Sequence, residues 1–167
     1  LKDKEIEIIL NLTIPRAHFE ISKKSLLAGK HSYSEKPLCI NFEDGKELLN
    51  ISKKNNLYLG SAPDTFLGGG IQKTRGLIDE GLLGKIELGN AIFAYPGVQS
   101  YHPSPEPWFA DNEGGPVIDM GPYYITALVN LLGPVKSIFS MSKKVFNERE
   151  IGIGQRKGTK FSVNCET

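Results

Sequence analysis

The stretch that most limits what this chain can become is Lys30-His31-Ser32-Tyr33-Ser34-Glu35-Lys36-Pro37, a β-compatible run that has to stop at a proline. Pro37 has no N–H for a ladder and pushes the residue before it out of helical geometry, so the strand ends at Lys36. Lys36 is thereby held at the carboxyl end of a strand. Ligands of open α/β sheets lie at those ends, which makes a lysine fixed there a candidate acid, base or charge clamp; the plain alternative is a solvated lysine before a turn.

The residues upstream make a strand-helix-strand unit with it. Ile6 to Leu12 is a short apolar run of the kind that a parallel strand buried on both faces requires. Thr13 is placed to cap a following helix and Pro15 suits its first turn. Ala17, Ile21 and Ala28 give that helix an apolar stripe before Gly29 ends it. A helical crossover of this length predicts parallel strands and a right-handed connection. After Pro37, Asn41 and Asp44 form a capping pair that opens a second helix carrying Leu48, Leu49 and Lys53 and fraying at Asn55-Asn56. Leu57 to Ser61 follows as another strand.

Residues 62–70 hold Pro63, Asp64 as a possible cap and three glycines, and lead into a helix with Ile71, Thr74, Leu77 and Ile78 on one face, closed by Gly81. The triple glycine lacks the residues that complete a phosphate loop. From Ile86 to Ala94 apolar residues alternate with others, predicting an antiparallel strand. Residues 96–115, with four prolines among Tyr101, His102, Trp108 and Phe109, are long enough without regular structure to suggest an ordered lid. Gly114-Gly115-Pro116-Val117-Ile118-Asp119-Met120-Gly121-Pro122-Tyr123-Tyr124 predicts a short turn bearing Asp119, a kink, then a helix to Leu132 with Ile125, Leu128, Val129 and Leu132 on its core face. Strands are expected over 135–146 and 160–165, the last stopping in mid-alternation as a cut chain does. The expected division is 1–62 and 63–167.

Charge and composition remove several function classes. Lys and Arg number 20 against 19 Asp and Glu, a balance of 20 − 19 = +1 that offers nucleic acid no basic field. No apolar run approaches the roughly 18 residues of a membrane helix, and the first five residues carry no signal-peptide pattern, so a cytoplasmic protein is expected. Cys39 and Cys165 make neither a disulfide framework nor a metal pattern, and His102 with Glu106 lacks a third ligand; no metal is expected.

Three motifs in order carry a family resemblance: Asn11-Leu12-Thr13-Ile14-Pro15-x-x-His18; Ala28-Gly29-Lys30-His31 running to Ser34-Glu35-Lys36-Pro37-Leu38; and Gly114-Gly115-Pro116-x-x-Asp119-Met120-Gly121-Pro122-Tyr123-Tyr124. Together they resemble a middle portion of the glucose-fructose oxidoreductase, inositol dehydrogenase and rhizopine-catabolism (Gfo/Idh/MocA) family of NAD(P)-dependent oxidoreductases. The resemblance implies the C-terminal half of a Rossmann domain followed by part of an α+β domain with an open, largely antiparallel sheet. It implies that Thr13, Ile14, His18, Glu35, Lys36 and Trp108 contact NAD or NADP, with Lys36 the proton-transfer group and Asp119 and Tyr123 supplying the second domain's catalytic groups. It also implies a sugar, polyol or related substrate and a homo-oligomer, dimer or tetramer, formed through the C-terminal sheet.

The chain departs from the family pattern in four places. Tyr123 stands where most members have a histidine, Trp108-Phe109 replaces a Trp-Arg pair, and Ser61-Ala62-Pro63-Asp64 lacks the usual Asn and Arg. No Gly-x-Gly-x-x-Gly opens the sequence; Gly152-Ile153-Gly154-Gln155-Arg156-Lys157-Gly158 has the wrong spacing. The phosphate-gripping half is expected before Leu1, and the chain alone is expected to be inactive. The competing expectation is a non-catalytic module that senses the dinucleotide or binds other proteins.

Overall fold

A computed structural model describes residues 1–109 and 114–167 of the chain, which divide into two units, Leu1–Asp64 and Thr65–Thr167. In the first unit, β1 (Ile8–Asn11), α1 (Pro15–Leu27), β2 (His31–Ser34), α2 (Phe42–Lys54) and β3 (Leu59–Ser61) alternate. The three strands form a parallel sheet in the order β1-β2-β3, with Ile8 opposite His31 and Ser32 opposite Leu59. Two like-handed crossovers in the same direction put both helices on one face of the sheet.

That placement revises the expectation for β1. Asn11 turns toward the helices and is buried, whereas Ile8 and Leu10 on the opposite face are 56% and 64% exposed. A parallel strand is buried on both faces only where helices cover both, and the described residues of this unit cover one. The buried side of α1 likewise differs from the apolar stripe expected. His18, Ser22, Ser25 and Leu26 face inward, while Ala28 is exposed. Small hydroxyl residues let helix and sheet approach closely, and their polar atoms find partners locally: Ser25 Oγ donates to the Ile21 carbonyl at 2.8 Å and Asn11 Nδ2 to Ser22 Oγ at 3.3 Å. Leu26 and Leu48 are the fully buried apolar side chains here.

The helix ends show how local sequence sets the geometry. No side chain caps α1, because its N-cap is Ile14; Thr13 Oγ1 instead donates to Asn11 Oδ1 at 2.7 Å. At the other end Gly29 adopts φ 75°, and the amides of Lys30 and Gly29 bond the carbonyls of Ser25 and Leu26, a Schellman turn. Asn41 caps α2 as expected, accepting from the Asp44 amide at 2.9 Å. The end of α2 does not fray. Asn56 enters the left-handed region at φ 53°, and the Leu57 amide bonds the Ser52 carbonyl at 2.9 Å.

In the second unit, α3 (Gly69–Asp79) is followed by short 3-10 turns at Val98–Ser100 and Glu106–Phe109, then α4 (Pro116–Asp119), α5 (Gly121–Leu132), β4 (Glu148–Glu150) and β5 (Lys160–Ser162). Gly68 is the N-cap of α3, not Asp64, which a 3-10 turn at Thr65–Leu67 separates from it. The chain breaks at Met120 between α4 and α5, and Pro122 sits in the first turn of α5, where its missing N–H costs nothing. The expected core face of α5 is only partly realised: Leu128 is half-buried, but Ile125, Val129 and Leu132 are exposed.

The core of this unit gathers elsewhere. Val98, Phe109, Val163 and Cys165 pack together with Trp108 and Phe161 against them. The stretch expected as a lid is therefore largely packed structure, its residues 110–113 lying outside the described residues. Among the described residues the antiparallel sheet is small, β4 with β5 in a register that sets Arg149 opposite Phe161. Neither 86–94 nor 135–146 forms a strand. Alternation defines a face, but a strand also needs a neighbouring backbone to accept its N–H and C=O groups, and there Leu88 and Ile138 stand 86% and 83% exposed.

Candidate functional site

Two groups of candidate residues can be built upward from the sequence, one in each unit. In the first, β1 and β2 end side by side, so the Thr13-Ile14 loop and the Glu35-Lys36-Pro37 turn both emerge from the carboxyl edge of the sheet. The Glu35 amide bonds the Asn11 carbonyl at 2.9 Å, extending the ladder one residue beyond β2. The Lys36 amide then donates to Glu35 Oε2 at 2.9 Å, and the Lys36-Pro37 peptide is cis.

Beneath this edge lies a buried polar network. His18 is fully buried, with Nδ1 2.6 Å from the Pro37 carbonyl oxygen and Nε2 2.9 Å from that of Thr13. Asn11 Nδ2 donates to the His18 carbonyl at 3.0 Å while its Oδ1 accepts from Thr13. One imidazole thus spans the two loops that carry Thr13, Ile14, Glu35 and Lys36. The ring is closed off from solvent, with both nitrogens against backbone carbonyls. Thr13 and Ile14 are exposed at the uncapped start of α1, and Glu35 and Lys36 are partly exposed. Asn11 was not signalled as functional in the sequence, although a polar residue inside Ile8-Ile9-Leu10-Asn11-Leu12 is the kind of interruption that marks a buried hydrogen-bonding role.

In the second unit a cavity of about 190 Å³ is lined by Asp119, Trp108 and Phe109 together with Tyr95, Arg149 and Glu166, among others. It unites two of the expected site residues, Asp119 and Trp108; Tyr123 lies in the first turn of α5 and does not line it. Asp119 closes α4, its amide bonded to the Gly115 carbonyl at 3.0 Å. Gly115 has φ 88°, a conformation that strains any residue with a side chain, and it lies against the Glu166 carboxylate.

Arg149, at the centre of β4, is the residue that sequence reasoning missed. Its Nη1 donates to the Pro96 carbonyl at 2.6 Å, and its guanidinium carbon lies 5.3 Å from the Phe109 ring centroid and 4.6 Å from that of Phe146. Its buried Nε–H has no hydrogen-bond partner among the described residues. The flanking Glu148 and Glu150 are exposed and give the sequence no apolar signal there, yet the period of two turns the middle residue inward. The Tyr95 phenol is pushed above its ordinary value by burial first, then by the nearby Asp119 carboxylate, with Arg149 opposing. Cavity and charge are thus coupled. Among the described residues no cluster of three metal-ligating side chains occurs, and no helix is long and apolar enough to cross a membrane.

Comparison with known proteins follows the same division of the chain. Residues 1–62 match the model of an oxidoreductase family with an NAD-binding Rossmann fold, and residues 71–163 match that of the GFO/IDH/MocA C-terminal domain. D-xylose dehydrogenase of Paenarthrobacter nicotinovorans is 31% identical over 145 residues, which cover 83% of this chain and 37% of that protein. Levoglucosan dehydrogenase, solved in complex with NADH and L-sorbose, shares the fold with a TM-score of 0.81 at 22% identity over 99% of this chain and 44% of its own. An inositol dehydrogenase homolog from Azotobacter vinelandii complexed with NAD+ gives a TM-score of 0.63 at 25% identity over 76% of this chain and 34% of its own. The chain spans about two fifths of the length of the curated relatives it matches, 37% to 40% for the first three.

Proposed function

The chain belongs to the Gfo/Idh/MocA oxidoreductase family, and from that premise we propose that the protein transfers hydride between NAD or NADP and a sugar, polyol or related alcohol, with Lys36 as its proton-transfer residue. The observation that carries the assignment is how Lys36 is held. It follows β2 at the carboxyl edge of a parallel sheet, on a turn tied down by Asn11 and His18. A base must stand within hydrogen-bond reach of the hydroxyl whose carbon loses hydride, and a rigid backbone gives a long lysine that precision.

The dinucleotide fits the residues along this edge. Exposed Thr13 and Ile14 lie at a helix start that no side chain caps, the setting in which backbone N–H groups meet an anionic or polar ligand, and Glu35 can accept from a ribose hydroxyl. When bound, the nicotinamide supplies the hydride-accepting carbon. Lys36 Nζ takes the hydroxyl proton, the Asp119 carboxylate accepts a hydrogen bond from a substrate hydroxyl, and the Tyr123 hydroxyl donates one. Trp108 contributes a flat apolar wall, and His18 acts as a positioning residue for the loops that touch the cofactor.

The same reading takes the protein to be a cytoplasmic homo-oligomer with its two expected domains at 1–62 and 63–167, and the exposed Leu88, Ile92, Ile138 and Phe139 supply apolar area for association. Replacing Lys36 by Met in the full-length protein is expected to lower turnover on a polyol panel by about 10² to 10⁴-fold, the usual worth of a positioned acid-base group, with nicotinamide affinity nearly unchanged. Unchanged turnover removes Lys36 from the role. Failure of the unaltered protein to bind a nicotinamide or oxidise any polyol favours the non-catalytic module instead.

A further inference from the structure

The cavity of the second unit holds one feature that a neutral sugar does not answer. Its carboxylates, Asp119 and Glu166, can accept from hydroxyl groups, and its rings can stack on a sugar face. Arg149 is different. Stacked near Phe109 and Phe146 and bonded to one carbonyl, it forms no ion pair among the described residues, and its buried Nε–H has no acceptor. An N–H shielded from water without an acceptor is costly even on a half-buried arginine, and an anionic oxygen offered to the planar edge of the guanidinium is the acceptor that best repairs it.

We propose that Arg149 is a specificity-determining residue that binds a carboxylate on the substrate, so that the cavity takes a polyhydroxy acid of the uronate or aldonate class in preference to the neutral sugar. The assignment rests on the oxidoreductase reading of Asp119 and its cavity. A polyhydroxy acid supplies both kinds of group the cavity asks for: hydroxyls for Asp119 and Glu166, and a carboxylate for Arg149. The positive end of the ligand site is fixed by packing, because Pro96 and the two phenyl rings hold the guanidinium in place before any ligand arrives. Binding therefore orders little that is not already ordered.

Trp108 is the single tryptophan of the chain and lines this cavity, so its fluorescence reports occupancy without turnover. Titration of the chain with sodium D-glucuronate should perturb Trp108 at concentrations about tenfold or more below those needed for D-glucose or for the methyl ester of glucuronate, the usual scale for one charge-assisted contact. R149Q should abolish the difference between acid and neutral sugar, and R149K, which keeps charge without the planar fork, should retain part of it. Comparing the acid with its ester on the unaltered chain needs no variant to fold, and far-ultraviolet circular dichroism checks the two that are made. Equal response to acid, ester and glucose overturns the proposal, and so does a silent Trp108. If the full-length protein meanwhile oxidises neutral polyols in a Lys36-dependent manner, the oxidoreductase reading stands without this inference; loss of that turnover removes the reading itself.

Discussion

At the scale of single residues, what the motifs revealed and what they hid differ in a consistent way. Lys36, Asp119 and His18 could be named as candidates because each sits in a motif with a glycine or proline that restricts the backbone around it. Asn11 and Arg149 were not, because each acts through a tertiary neighbour: Asn11 through His18 and Thr13, Arg149 through Pro96 and two rings. The coupling inside the cavity can be measured at Tyr95. Burial, the first cause of its raised pKa, survives in D119N, while the carboxylate's contribution does not. The phenol should therefore titrate lower in D119N than in the unaltered chain, yet still above the ordinary value near 10. Titration at 295 nm, with Y95F subtracted, reads this, and no movement in D119N would separate Asp119 from Tyr95. Because the folded pKa is raised, the neutral phenol is the form the fold prefers. Its contribution to stability is full below the unfolded pKa and is lost as pH rises through the folded one.

Elements were legible where local chemistry alone defines them. Asn41 and Asp44 fixed the start of α2, Gly29 and Gly81 the ends of α1 and α3, and Pro116 with Pro122 the broken pair α4 and α5. The strands of the second unit were legible only at β5, since period-two patterning at 86–94 and 135–146 names a face but no partner. The Schellman turn at Asn56 was missed, because asparagine enters the left-handed region less often than glycine and a pair of asparagines looks like fraying. Its energetic weight is testable. Asn56→Ala should cost about 1 kcal/mol and Asn56→Gly little or nothing, a contrast that a residue in a frayed end would not show. Asn41→Ala should cost about 1 kcal/mol through loss of the cap on α2. Leu48→Ala, at a fully buried position where α2 meets its unit, should cost about 2 to 5 kcal/mol. Chemical denaturation reads all four variants, and a Leu48→Ala loss no larger than that of Asn41→Ala would place little packing weight on that face.

For the molecule as a whole, two modest cores sit beside a large amount of uncovered apolar surface. In the first unit Leu26 and Leu48 are sealed beneath serines and a histidine, and in the second Val98, Phe109, Ile151, Val163 and Cys165 are buried. Outside them Ile8, Leu10, Leu88, Ile92, Ile138, Phe139 and Met141 are exposed in runs along extended backbone or along one sheet face. Burial and backbone pairing together set local resistance to opening, so stability should be distributed unevenly. β2 is bonded on both sides, with its Ser32 amide on the Tyr58 carbonyl and its neighbours on β1. Its amides should exchange slowest with deuterium. Residues 87–92 and 134–142 have neither a ladder nor burial and should exchange within the dead time of the measurement at low protein concentration. Self-association through the apolar runs would alter that result in one direction only: protection of 87–92 and 134–142 should appear as concentration rises, while β2 stays constant. Slow exchange of both segments at high dilution would mean that they are paired within a single copy, and would remove them as the surface through which copies assemble.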